Sequence, residues 1–343
     1  LQENFDKAVS LVEHILTNVK PNEKALADLK GTILKSRENN KLNKGQIMNG
    51  LTSYAQYGSV NPFNNVLSND EVKNMKSEDL IYLIKNLTNY EHAITYYGPK
   101  DLATFTADVK KVHLLPKEFT DPAPAKIYTY TTQDTNRVYF ANYDMVQSEI
   151  RWLRNTGLYN KTDAANIQVF NSYFGGGMGS IVFQTIRESK ALAYSTMAQY
   201  FSPDKADKQY SMIAYVGSQA DKMTDAVNAM NELLNDLPQS DKSFDGAKVN
   251  VLNNLETNRV TKDDVFTYYF ADKKLSYDYD SRIDLYKELK PITFQSIKDF
   301  HTQKVANKPY TYLIVASDKK VKMEDMQKFG AVTTLTLEQL FGY

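Results

Sequence analysis

Cysteine is absent from all 343 residues, which excludes a disulfide scaffold, a cysteine nucleophile and any thiolate metal site. No charge sign is in excess either: 41 basic and 41 acidic side chains give a formal net charge of zero. No strongly basic face is therefore implied, and nucleic acid is a poor candidate partner. There is no run of about 18 apolar residues, so no segment is expected to span a membrane. The opening residues Leu1-Gln2-Glu3-Asn4 carry no initiator Met and no charged-then-apolar leader, and the chain reads as a piece of something longer. Histidine is scarce: His14, His92, His113 and His301 are the four, no two of them in neighbouring helical turns. A catalytic zinc needs three protein ligands and an open position for water, so no metal or other cofactor is expected in this chain. Glu13-His14 and Glu91-His92 read as surface or satisfied core pairs.

What is present describes a folded protein. Apolar residues make up 42% and aromatics 12% of the chain, enough for a large core and about two domains at this length. The 24 tyrosines suit a wet peptide-binding surface, and ordinary core and rim use accounts for them equally well. Sliding the chain against itself exposes a repeat: Glu23-Lys24 matches Asp241-Lys242, Ile33-Leu34 matches Val251-Leu252, and Lys44 matches Lys262, all at one offset of 218. With small gaps, Ser77–Leu87 and then Ala93–Gly98 match Thr293–Gln303 and then Tyr312–Ser317. The repeat divides the chain into residues 1–118, the C-terminal part of a first module, and residues 119–343, a complete second one. Lys117–Lys126, preceded by Pro116 and containing Pro122 and Pro124, reads as the linker.

Periodicity predicts helices over Asn4–Val19 and Glu23–Asn39, separated by Pro21, and a helix capped by Ser77 with acidic residues in its first turn. Asp221–Leu237, Ser243–Arg259, Ser281–Leu289 and Phe294–Lys304 also read as helices. Ile127–Thr132, Val138–Tyr143, Ala193–Phe201, Tyr210–Val216 and Tyr310–Ala316 read as strands. The expected class is α+β, a mostly antiparallel sheet with helices packed on a face, built as a repeated module.

One segment stands apart: Tyr173-Phe174-Gly175-Gly176-Gly177-Met178-Gly179-Ser180-Ile181-Val182-Phe183-Gln184-Thr185-Ile186-Arg187-Glu188-Ser189-Lys190-Ala191-Leu192-Ala193-Tyr194-Ser195. A helix capped at Thr162-Asp163 is expected to run to Phe174, the glycines to end it, and Ser180 to start the next helix. A phosphate loop does not fit, because no Lys-Ser/Thr pair follows and a helix precedes. A serine-hydrolase elbow does not fit either, because glycines do not flank the serine at the required spacing. Arg187 is placed in the last turn of the second helix and Tyr194 at the start of the following strand. Spacing alone allows a bland reading, in which Arg187 pairs with Glu188 or another carboxylate and Tyr194 packs. It also allows a second, in which the guanidinium and the phenol donate to a peptide carbonyl or to the oxyanion formed on attack. No other catalytic set emerges: Asp263-Asp264 and Asp278 with Asp280 read as helix starts or exposed turns, and Asp204 and Asp207 as part of a polar hairpin loop.

Gly175-Gly176-Gly177-Met178, then Ser180, Phe183-Gln184, Arg187-Glu188 and Leu192-Ala193-Tyr194-Ser195 closely resemble the arginine–tyrosine segment of the pitrilysin/insulinase family of zinc peptidases. Tyr54–Pro62 and Ile94–Gly98 resemble the tail of one such module, and Arg137–Gln147 the opening of the next. The resemblance implies two clam-shell halves of similar α+β modules, one binding zinc through an inverted His-x-x-Glu-His helix and the other supplying the Arg and Tyr. Carried over, Arg187 and Tyr194 bind substrate and stabilise the transition state, and Gly175, Gly176, Gly177 and Gly179 shape the turn that positions them. The zinc motif is absent, and the equivalent helix, Asp163–Phe174, carries no His. The resemblance therefore implies the metal-free C-terminal portion of a zinc metalloendopeptidase, inactive as an isolated chain. Its partners would be a zinc-bearing half, in the same polypeptide or another subunit, and an unfolded peptide substrate lying along an edge strand of that half. The alternatives are a non-catalytic structural or assembly subunit and a free-standing peptide-binding module. Family habit favours a bacterial envelope or periplasmic location.

Overall fold

In the computed structural model, which describes residues 2–262 and 264–343, packing divides the chain into two units. Residues up to Asn39, Leu67–Ile127 and Tyr343 make the first; Asn40–Val66 and Tyr128–Gly342 make the second. A boundary drawn by packing and one drawn by duplication need not coincide.

The first unit is helical: Phe5–Asn18, Glu23–Lys41, Asn69–Asn74, Ser77–Lys85 and Leu102–Val112. Its buried apolar side chains are Leu26, Val72 and Phe105. Tyr96 stacks on Phe105 at 4.4 Å, and Phe5 meets both rings. Ser77 is not the cap that its neighbours suggest. Lys76 is the N-cap residue and the Asp79 carboxylate accepts its backbone N–H, while the Ser77 hydroxyl donates to Glu23. Ala93–Gly98, the repeat's match to a strand of the second unit, forms no strand.

The second unit is built on one six-stranded sheet: β1 (Arg137–Asn142), β2 (Gln147–Leu158), β3 (Ser195–Phe201), β4 (Gln209–Gln219), β5 (Thr311–Ala316) and β6 (Ala331–Thr334). The order is β3-β4-β2-β5-β1-β6. The β3–β4, β4–β2 and β2–β5 pairs are antiparallel, and β5–β1 and β1–β6 are parallel. On one face Ile150, Trp152, Tyr200, Met212, Ala214, Val216 and Ile314 join one buried cluster with the helices Ala164–Phe174, Met223–Asn235 and Phe294–Lys304. Each fully buried large apolar side chain contributes about 1.5–3 kcal/mol of transfer free energy. The polar tips in this core are satisfied: Trp152 Nε1 donates to Asn231 (2.8 Å) and the Tyr173 hydroxyl to the Pro238 carbonyl (2.6 Å). Helices are not confined to that face, since Lys44–Tyr57 packs across β1, β2 and β5 from the other side.

Two strand expectations fail in opposite senses. Ile127–Thr132 joins no ladder; Thr131 bonds through its N–H to the Gln56 carbonyl (2.9 Å), and Tyr128 and Tyr130 pack on Tyr57 at the end of the Lys44–Tyr57 helix. Its aromatic alternation serves a helix end instead of a sheet. β2, at twelve residues the longest strand, is masked in the sequence by charges on both of its faces, Glu149 and Arg151 on one and Arg154 on the other.

Candidate functional site

The glycine turn is shaped by close approach as much as by conformation. Gly175 ends the helix Ala164–Phe174, with its N–H on the Asn171 carbonyl (3.2 Å). A Cβ there would lie 2.1 Å from the Ala198 carbonyl oxygen, so only glycine lets the turn cross β3. Gly177 adopts φ of +138°, a value closed to residues with a side chain. Asp163 holds the N-cap position of the helix Ala164–Phe174 as expected but makes no side-chain cap bond; it pairs with Lys304 (3.2 Å), and Asn160 accepts from Thr162 N–H (3.2 Å) in the preceding turn. Ser180 does start the next helix; its hydroxyl accepts from Phe183 N–H (3.4 Å) and donates to the Gly177 carbonyl (2.7 Å). That helix widens into a π-helix over Phe183–Ser189, where the Lys190 N–H reaches back five residues to the Thr185 carbonyl (3.0 Å). π turns of this kind cluster at functional sites.

Arg187 lies in the last turn of the π-helix, half exposed. Its guanidinium sits 4.8 Å from the centre of the Phe183 ring and 3.8 Å from the Glu188 carboxylate. Tyr194 immediately precedes β3, tied by its N–H to the Gly217 carbonyl (2.9 Å), with its side chain 54% exposed. Its hydroxyl accepts from Gln219 Nε2 (2.9 Å), which leaves the O–H free to donate to a ligand. Tyr194 lines a cleft of about 610 Å³ together with Lys44, Gln147, Gln219, Asp221 and Lys320. Arg187 lies outside that cleft and has partners of its own. The two side chains are presented on adjoining segments, and of the two only Tyr194 lines this cleft.

Beneath the cleft lies a set that sequence reasoning missed. The buried Glu149 carboxylate accepts from Lys44 Nζ on one oxygen and from the Tyr215 hydroxyl on the other. Lys44 also approaches Gln147 (3.5 Å), and the Ser195 hydroxyl approaches Tyr215 (3.4 Å). Burial first, then the bond to Glu149, pushes the Tyr215 phenol up to about 12. Burial depresses the neighbouring Arg151, whose guanidinium donates to Thr52 (2.7 Å). The available signal was a charge at every second position, Glu149 and Arg151, inside an otherwise apolar run.

The other carboxylates read from the sequence are accounted for by neighbours. Asp278 pairs with Lys273 (2.6 Å) and Asp280 with Arg282; Asp264 opens a helix, and Asp263 lies outside the described residues. Asp204 and Asp207 fall in the β3–β4 hairpin loop. Among the described residues no group of three or more His, Cys, Asp or Glu side chains is arranged to hold a metal ion. Nor is any of their helices long and apolar enough to cross a membrane.

Comparison with known proteins follows the same direction. Residues 102–250 match the family model described as the peptidase M16 inactive domain. No curated protein matches the sequence. A peptidase M16 inactive domain from Pseudomonas fluorescens superposes with a TM-score of 0.68 at 15% identity, covering 92% of this chain and 76% of that one. A protease from Helicobacter pylori gives 0.68 at 13% identity, covering 92% and 77%. Pitrilysin gives 0.65 at 12% identity; 99% of this chain is covered, and it spans 36% of pitrilysin. At such identities the superpositions show the fold alone, and the likeness to the M16 peptidases' inactive domain rests on residues 102–250, less than half of the chain.

Proposed function

We propose that this chain is the substrate-binding, metal-free portion of a zinc metalloendopeptidase that cleaves unfolded peptides. In this reading the catalytic zinc belongs to a complementary half, in the same polypeptide or a partner subunit. The residues here do not fit that ion, because nothing among the described residues offers three ligands. Tyr194 and Arg187 act on the peptide: the phenol O–H and the guanidinium donate to the substrate carbonyl, more strongly as negative charge gathers on its oxygen. The observation that carries the reading is Tyr194 itself, half exposed at a 610 Å³ cleft with its hydroxyl proton uncommitted. Gly175, Gly176, Gly177 and Gly179 hold the turn between the helix and the π-helix, fixing where Arg187 emerges.

The test is Tyr194→Phe in the complete assembly on an unstructured peptide. Loss of one such donor should lower kcat by about 10²-fold with zinc content unchanged; undiminished turnover would refute the role. A structural or assembly subunit is the second reading, favoured by the contact of Arg187 with Glu188 and by its position outside the cleft. An assembly that stays intact and proteolytically silent with its zinc half present would support that one.

A further inference from the structure

In the first unit two of the four histidines face each other. His92 Nε2 and His113 Nε2 are 2.8 Å apart, with the ring planes at 89°. The other nitrogen of each ring is committed. His92 Nδ1 lies 2.7 Å from the Tyr90 carbonyl oxygen, and His113 Nδ1 lies 2.5 Å from the Glu13 carboxylate. A carbonyl and an ionised carboxylate only accept, so both Nδ1 atoms carry the hydrogen, and a neutral imidazole has only one. With both rings neutral, each Nε2 presents a lone pair to the other, an arrangement that calls for a cation, a proton or a metal ion, between them.

We propose that this cation is a divalent late transition metal ion, bound by His92 and His113 with water completing its shell. Metal-binding imidazoles characteristically donate their second N–H to a carboxylate or a backbone carbonyl, which fixes the ring and raises its basicity; Glu13 and the Tyr90 carbonyl occupy those two positions. Two nitrogens about 2.05 Å from one ion and at right angles about it lie about 2.9 Å apart, the cis spacing of tetragonal and octahedral Ni²⁺ or Cu²⁺. The observed 2.8 Å needs almost no adjustment. His113 and Glu13 are largely shielded, at 11% and 13% side-chain exposure, while His92 opens to solvent and leaves room for water. With two protein ligands this is a site distinct in kind from a three-ligand catalytic zinc, and it does not depend on the peptidase reading.

Calorimetric titration of the intact chain with Ni²⁺ at neutral pH tests it. One ion per chain is expected, with binding abolished in His92→Ala, an exposed position whose loss leaves the fold intact. Glu13→Gln should weaken binding by about 10–100-fold, the usual effect of removing a carboxylate behind a ligating histidine. His14→Ala, one residue from Glu13, should change nothing. With Cu²⁺ in place of Ni²⁺, electron paramagnetic resonance should show two imidazole nitrogens on the ion. Absence of saturable binding, which would mean that a proton alone bridges the rings, overturns the proposal, and so does binding undiminished in His92→Ala.

Discussion

Replacing Gly175 by alanine separates two roles that a glycine-rich turn can play. Its φ is −143°, open to any residue, so the cost of a side chain is purely steric. The added Cβ would lie 2.1 Å from the carbonyl oxygen and 2.4 Å from the nitrogen of Ala198, more than 1 Å inside an ordinary contact of 3.4–4 Å. Those atoms are backbone and cannot swing aside, because Ala198 sits in β3 opposite Ala214 of β4. Forcing extra volume into a packed site costs about 1–3 kcal/mol, and a backbone neighbour puts this case at the upper end. At about 2–4 °C per kcal/mol for a domain of 150–250 residues, Gly175→Ala should lower the melting temperature of the second unit by several degrees. Gly179→Ala is the control: nothing lies within 4 Å of its Cβ position and its φ is not positive. Alanine there should be neutral or stabilise by about 0.4–1 kcal/mol through the unfolded chain. Urea or thermal denaturation of the two variants decides the matter, and equal stability would refute the close-approach argument.

Burial holds the phenols of Tyr200, Tyr210 and Tyr215 up at about 12, against an ordinary value of 10. The unfolded chain then loses these protons first, so the second unit should lose stability progressively from about pH 10 to 12, and Tyr215→Phe should flatten part of that slope in a pH series of denaturation midpoints. His301 is depressed below its ordinary 6.5 by burial, 2% exposed among Phe170 and Phe174, with Nε2 lacking a partner. Its neutral form is favoured in the fold, so its contribution is full above pH 6.5 and lost on acidification; His301→Leu should remove that acid limb, and an unchanged acid profile would contradict it.

Sequence pattern located the segment that carries Tyr194 and missed two other elements that line the cleft, β2 and the helix Lys44–Tyr57. Phe294–Lys304 reads as a helix, and the structure caps it with Thr293 and Ser296. The glycine turn, the placement of Arg187 in a last helical turn and that of Tyr194 at a strand start all follow from local chemistry. Where partners come from afar, the pattern is silent. Glu149 and Arg151 look like solvated residues until Lys44, more than a hundred residues earlier, and Thr52 are seen beside them. β2 is hidden for the same reason, since long-range pairing satisfies charges that argue locally against a strand. His92 and His113, twenty-one residues apart on no shared helix, could not be paired by spacing at all. Nor does a run of β-branched and aromatic residues say whether a sheet has a place for it, which is why Ile127–Thr132 misleads.

The π-helix at Phe183–Ser189 has a consequence for how this segment can change. A π turn is an α turn that accommodates one surplus residue, so it marks a place where the chain can shorten by one without disturbing what lies on either side. Deleting a single position between Phe183 and Arg187 would let the turn relax to α geometry and keep β3 in register. Side chains beyond the deletion would keep their bearing about the axis, whereas the same deletion in a plain α-helix would swing them by about 100°. Lineages diverging here can therefore lose one residue while keeping both the fold and the bearing of their arginine, so a one-residue gap at this segment is a change of length without a change of aim.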